Sequence, residues 1–214
     1  SGGESILVDV MAAARAFRDL APSLFHVLTR CNATFVKQRD GAEMVAFRPH
    51  IVLDKTTEEV IKVNWSPPFE GPLSIPFDMV TDYYKAYTAF QMMLDDSLSL
   101  DHGKDILSPE LQAALSGYAG QYTWEKSLRP GEILIFNNQR MLHGRRGFSA
   151  IPNDDKTTTK QSSRRHLIGC YTNMDETLNR YRLLLRQQQP TKKKDWTIPN
   201  AGNATVGTFF PARE

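Results

Sequence analysis

The stretch Ala33-Thr34-Phe35-Val36-Lys37-Gln38-Arg39-Asp40-Gly41-Ala42-Glu43-Met44-Val45-Ala46-Phe47-Arg48-Pro49 sets the fold class. β-Branched and aromatic residues cluster at 33–37 and 45–47, and Asp40-Gly41 between them is a hairpin-turn pair. Two more β-rich runs, 51–53 and 60–65, follow across Arg48-Pro49 and the polar turn 54–57, and Ser66-Pro67-Pro68 stops the last of them. The pattern predicts consecutive antiparallel strands. Upstream, Ser5-Ile6-Leu7-Val8 reads as a short buried strand ending at Asp9. Ala13, Phe17 and Leu20, then Leu24, Phe25 and Leu28, have helical spacing on either side of Pro22, so two short helices are expected across 11–30. Downstream, Met79, Tyr83, Ala86, Phe90 and Met93 share one helical face over 78–94, with Asp78 as the expected cap and the aromatic stripe as core.

Residues 97–122 read as an insertion carrying a smaller helix, which Ser108-Pro109-Glu110 starts and Gly117 or Gly120 ends. Strands are expected again at 122–125, at 133–136 after the Pro130-Gly131 turn, and at 166–171. Between them, 154–163 is a polar loop, and 174–186 is a basic amphipathic helix with Asp175 near its start. Periodicity fades after Pro190. The domain expected is therefore 1–189, followed by a tail over 190–214. Strands with antiparallel turns and a long helix among them give an α+β protein built on a β-sandwich or jelly roll.

Composition narrows the functional classes. The 214 residues are 41% hydrophobic and 23% charged, the profile of a globular chain. Lys plus Arg number 26 against 24 Asp plus Glu, so a net charge of +2 supplies no field for nucleic acid or an anionic membrane, and Lys192-Lys193-Lys194 is too short a run to change that. No apolar run reaches the roughly 18 residues of a membrane span. Cys31 and Cys170, the only two cysteines, read as buried free thiols in a reducing compartment.

Of five histidines, His143 has a distinctive setting: an apolar strand leads through Asn137-Asn138-Gln139-Arg140-Met141-Leu142 to His143-Gly144-Arg145. A neutral imidazole there either gives one nitrogen to a metal or closes a strand. Arg164-Arg165 follows on another expected strand, as a bidentate partner for a carboxylate or as solvated charge. The Ser5 hydroxyl, in the glycine-rich opening, is placed to add a hydrogen bond to the same anion.

Three stretches in order, Gly2-Gly3-Glu4-Ser5-Ile6-Leu7-Val8-Asp9, Arg129-Pro130-Gly131-Glu132 through Asn138-Gln139-Arg140-Met141-Leu142-His143-Gly144-Arg145, and Arg165-His166-Leu167-Ile168-Gly169-Cys170-Tyr171, carry a resemblance. Across residues 2–186 the chain is similar to the iron(II) and 2-oxoglutarate-dependent dioxygenases of the taurine-dioxygenase type, in the γ-butyrobetaine and trimethyllysine hydroxylase branch. The resemblance implies an α+β, cupin-like double-stranded β-helix with flanking helices. It implies His143 as the distal histidine of a two-histidine, one-carboxylate iron triad. It assigns Arg165 to the distal carboxylate of 2-oxoglutarate with Ser5 as hydroxyl partner, and Tyr171 to a trimethylammonium group through cation–π attraction. Fe(II) and 2-oxoglutarate are the implied cofactor and co-substrate, with ascorbate as an accessory. The implied partner is a small cationic substrate, the implied assembly a homodimer, and the compartment cytoplasmic, with the mitochondrion as alternative.

The family's other two iron ligands form His-X-Asp or His-X-Glu before the Gly-Gly-Glu-Ser segment. No such triplet exists here: the residues two places after the histidines are Leu28, Val52, Lys104, Arg145 and Ile168. The reading therefore places Ser1 downstream of that motif, making the incomplete fold a catalytic-domain fragment inactive alone. The competing reading is a non-catalytic jelly-roll module that has lost the metal site. Two further departures bear on substrate and metal: Ser66-Pro67 stands where the carnitine-pathway enzymes carry an Asn pair, and Asn137 replaces an Asp common before the distal histidine.

Overall fold

In a computed structural model that describes residues 3–96, 98, 103, 105–147 and 167–188, the first strand hands over directly to a helix. Strand β1 (Ser5–Asp9) ends at Asp9, whose carboxylate accepts from the Ala12 amide at 3.1 Å and caps helix α1 (Val10–Leu20). Val10, Ala13, Ala14 and Phe17 are buried at the spacing of one helical stripe. Pro22 opens helix α2 (Pro22–Arg30), where a missing N–H costs nothing, and Phe25 and Leu28 face inward.

Four strands follow: β2 (Asn32–Arg39), β3 (Ala42–Pro49), β4 (Ile51–Leu53) and β5 (Val60–Val63). Asp40 and Gly41 both take positive φ, 51° and 78°, closing the β2–β3 hairpin through its expected turn. The strands pair as two hairpins, β2 with β3 and β4 with β5, rather than as one four-stranded run. The break falls at His50, which is buried.

Helix α3 (Val80–Leu94) buries Tyr83, Ala86, Phe90 and Met93, so the aromatic stripe is core as expected. Asp78 is not its cap. It lies in a short 3-10 turn, Phe77–Met79, and the cap position, Met79, makes no side-chain hydrogen bond. Helix α4 (Pro109–Ser116) starts at Ser108, whose hydroxyl accepts from the Leu111 amide, and ends at Gly117. Leu115 and Leu107 are buried in the same core as Phe17, Phe25, Phe90, Ile51 and Val60, so the described part of 97–122 packs into that core. Phe17 meets Phe90 at 5.2 Å between ring centroids, joining α1 to α3.

Strands β6 (Thr123–Lys126) and β7 (Met141–Arg145) flank β1 on either side, both antiparallel. The described residues thus form a mixed helix-and-sheet protein with three antiparallel sheets beside a helical core. The segment 133–136 does not pair as a strand. Its alternation is that of a strand, Leu134 and Phe136 half-buried and Ile133 and Ile135 85% and 89% exposed, but no ladder partner lies among the described residues. Leu167–Tyr171, expected as a strand, likewise pairs with nothing among the described residues. Helix α5 (Met174–Gln188) carries Asp175 and Glu176 in its first turn and buries no residue. Cys31 is buried and free, whereas Cys170, expected to be buried, is exposed. By contacts the chain divides into two units, residues 1–152 and 153–214. The loop at 154–163, His166, and the tail expected over 190–214 lie outside the described residues.

Candidate functional site

In the sheet ordered β6-β1-β7, Leu7 lies opposite both Trp124 and His143, and Ser5 opposite both Lys126 and Arg145. Directly opposed residues of antiparallel strands share a face, and so do residues two apart. Ile6, Val8 and Leu142 therefore turn toward the helical core, while Ser5, Leu7, Trp124, His143 and Arg145 line the other face. Ser5 and His143 are diagonal neighbours across the β1–β7 ladder. Ser5 is buried and His143 exposed, with the Phe136 ring 5.4 Å from the imidazole.

The glycine-rich opening has a physical reason. Gly3 holds φ at +84°, and a Cβ there would come within 3.0 Å of Arg145 Nη2 and 3.1 Å of Nε. Only glycine both adopts that backbone and leaves room for the guanidinium. The Gly3 amide donates to the Gly147 carbonyl at 3.1 Å and the Arg146 amide to the Glu4 carbonyl at 3.0 Å, extending the ladder past Ser5.

Ion pairs hold the His143 strand at both ends. Before it, Arg140 donates to Asp9 Oδ2 from Nε at 3.0 Å and Nη2 at 2.5 Å, tying the start of β7 to the cap of α1. Burial alone raises the Asp9 carboxyl, but the bonds from Arg140 and the Ala12 amide outweigh it and hold the group below the usual carboxylate range. After the strand, Arg146 grips Asp96 through two bonds of 2.9 and 2.8 Å and Glu125 through one of 2.9 Å. Asn137, where an Asp was expected by resemblance, spends its side-chain oxygen on the Gln139 amide at 2.9 Å.

The structure thus places Ser5 and His143 on one sheet face. Arg165 lies outside the described residues, and Tyr171 belongs to the second unit, where it is 83% exposed. Among the described residues no three His, Cys, Asp or Glu side chains are grouped to hold a metal ion. His143 by itself does not fit an iron centre, which needs further ligands.

Sequence reasoning passed over a second cluster, built on the buried His50. Its Nδ1 meets the Asn64 carbonyl at 2.9 Å and its Nε2 the Tyr83 hydroxyl at 2.8 Å. A carbonyl only accepts, so Nδ1 carries the proton and Nε2 accepts from Tyr83. Burial pulls the imidazole down to about 4 against a weaker upward pull from the Asn64 carbonyl, so it is neutral at physiological pH. Phe35, Trp65, Tyr83 and Tyr87 surround the ring at 5.0 to 5.9 Å. Beside this cluster a pocket of about 180 Å³ opens between β2 and α3. The sequence signal nearest to it is the helical stripe that includes Tyr83, which reads as core.

The stretch that forms this sheet has relatives among known proteins. The family described as taurine catabolism dioxygenase TauD, TfdA matches residues 1–171. A dioxygenase named str8 from Strobilurus tenacellus is 27% identical over 183 residues, 86% of this chain and 37% of that protein. The γ-butyrobetaine dioxygenase of Pseudomonas sp. (strain AK-1) is 26% identical over 186 residues, 87% of this chain and 40% of the relative. Human mitochondrial trimethyllysine dioxygenase is 25% identical over 189 residues, 86% and 36% of the respective chains. The chain spans about two fifths of the length of these relatives. With the family matched over residues 1–171, the stretch that includes the whole β6-β1-β7 sheet, the chain belongs to the TauD, TfdA family of 2-oxoglutarate-dependent dioxygenases.

Proposed function

We propose that this chain is the C-terminal portion of the catalytic domain of an Fe(II) and 2-oxoglutarate-dependent dioxygenase, hydroxylating a small trimethylammonium substrate such as γ-butyrobetaine or trimethyllysine, and inactive alone. The observation that carries the reading is the diagonal placement of Ser5 and His143, with Gly3 shaped around Arg145. The names of the relatives support the substrate class.

In this reading His143 supplies one imidazole to the metal. Arg165, with the Ser5 hydroxyl, takes the distal carboxylate of 2-oxoglutarate, and Tyr171 offers its ring to the cationic substrate. Metal and co-substrate together would activate oxygen for insertion into an unactivated C–H bond. The described residues do not complete that centre, so no step of the reaction is assigned to them. The uncovered side chains of Ile133 and Ile135 fit an incomplete jelly roll, in which further strands pair with 133–136 and cover the His143 face. The reading also carries ascorbate as an accessory, a homodimer, and a cytoplasmic or alternatively mitochondrial setting.

The test is turnover by the chain extended with the coding sequence that precedes Ser1 in frame. An extension bearing His-X-Asp or His-X-Glu is expected to release succinate from 2-oxoglutarate in step with hydroxylation of γ-butyrobetaine or trimethyllysine. A folded, metal-loaded extension that releases succinate with neither substrate overturns the assignment. Absence of the triplet from that sequence favours the non-catalytic binding module.

A further inference from the structure

The pocket beside His50 has an unusual polar inventory. Its floor is β2, where Thr34 is 7% exposed and its hydroxyl oxygen has no hydrogen-bond partner among the described residues. Its rim is Glu70, whose Oε1 is also buried without a partner among the described residues. The Tyr87 hydroxyl and the Ser66 amide already serve the Glu70 carboxylate, so the unmet demand falls on Oε1. No described cation answers the carboxylate. Buried acceptors of this kind are costly unless paired.

The pocket is held in shape by backbone and not by chance packing. Glu70 forms an antiparallel bridge with Phe35, and the Gly71 amide donates to the Thr34 carbonyl at 2.9 Å. A Cβ at Gly71 would fall 2.7 Å from Val36 Cγ2 and 3.3 Å from Thr34 Cγ2, so glycine is what lets Glu70 lie beside Thr34. The opposite wall is Tyr83, Tyr84 and Tyr87 of α3. The hydroxyl protons of two of these are already committed: Tyr83 donates to His50 Nε2, and Tyr87 donates to Glu70. The polar atoms left to a visitor are Glu70 Oε1, which only accepts when ionised, and the Thr34 and Tyr84 hydroxyls, which accept as well as donate, set among aromatic rings. Acceptors, negative charge and π faces together select a donor-rich cation.

We propose that this pocket binds a small primary ammonium ion, its N–H groups shared between Glu70 Oε1 and Thr34 Oγ1 and its charge against the tyrosine rings. A quaternary ammonium has no N–H and would leave both oxygens unpaired, so the site differs in kind from one for a trimethylated cation. The inference rests on residues 33–87 alone and is independent of the oxygenase reading. Burial raises the Glu70 carboxyl against the bonds from Tyr87 and Ser66, a shift that a bound cation opposes.

The test is a titration of the full chain with n-butylammonium, tetramethylammonium and 1-butanol, which have the same number of non-hydrogen atoms, followed by amide chemical shifts. Ligands this small bind in the millimolar range at best. Butylammonium is expected to saturate and to move the Thr34, Gly71 and Tyr84 amides, about tenfold more tightly than either comparison compound. Glu70→Gln, which keeps the backbone bridge, is expected to weaken it by about tenfold. Tyr84→Ala, at a half-exposed position, is expected to weaken it severalfold without unfolding the chain, and serves if the Glu70 variant does not fold. Equal or tighter binding of tetramethylammonium, no saturation by butylammonium, or unchanged affinity in the variants would each overturn the proposal.

Discussion

His50 shows how one buried side chain sets a pH limit on the fold. Burial depresses its pKa in the folded state to about 4, against about 6.5 unfolded. The folded state therefore favours the neutral ring, and the stability this contributes is present above the unfolded value and lost as pH falls from 6.5 through 4. Urea unfolding is expected to lose about 3 kcal/mol from this residue between pH 7.5 and pH 4. His50→Gln should flatten that part of the profile, and an unchanged slope would mean that the ring is not held neutral. Gly3 makes a second, independent demand. Gly3→Ala forces a side chain into positive φ and against the Arg145 guanidinium, and is expected to cost about 1–3 kcal/mol in chemical denaturation. A neutral result would contradict the close approach.

The elements differ in how far their residues announce them. Helices α1, α2 and α3 were legible because their core contacts recur within each segment: Phe17, Phe25 and Phe90 are fully buried at positions the period alone selects. The Asp40-Gly41 hairpin and the Ser108 start of α4 were legible for the same local reason. Strand partners were not, since β1 pairs with strands at Thr123–Lys126 and Met141–Arg145, far along the chain, and nothing in Ser5–Asp9 names them. The segment 133–136 is the converse case: its alternation is right, but a strand needs a neighbour, and Ile133 and Ile135 lack one among the described residues. His143 and Ser5 were legible through motif, their shared face only through the ladder. His50, Glu70 and Thr34 carry no spacing signal, because three segments well apart in the chain bring them together. Asp9 tests the coupling of elements, since it caps α1 and ties it to the start of β7. Asp9→Ala is expected to destabilise by about 1–2 kcal/mol, mostly through the lost cap, because the ion pair is partly solvated. Arg140→Ala should cost less, and the reverse order would show the ion pair to dominate.

The first unit, residues 1–152, turns one face of its three-stranded sheet to the helical core and carries His143, exposed, on the other. A TauD-family chain that matches about two fifths of its relatives' length carries His143 and a Gly-Gly-Glu-Ser opening, but no His-X-carboxylate triplet. A single imidazole binds a divalent ion weakly, since a dioxygenase iron site takes two histidines and a carboxylate. The most direct test is calorimetric titration of Mn(II), a redox-silent stand-in for Fe(II), into this chain with 2-oxoglutarate present, beside His143→Ala. The expected result is no stoichiometric metal uptake by either protein and no succinate released with Fe(II). Tight one-to-one uptake that His143→Ala abolishes would contradict it, and would mean that a carboxylate within this chain completes the site.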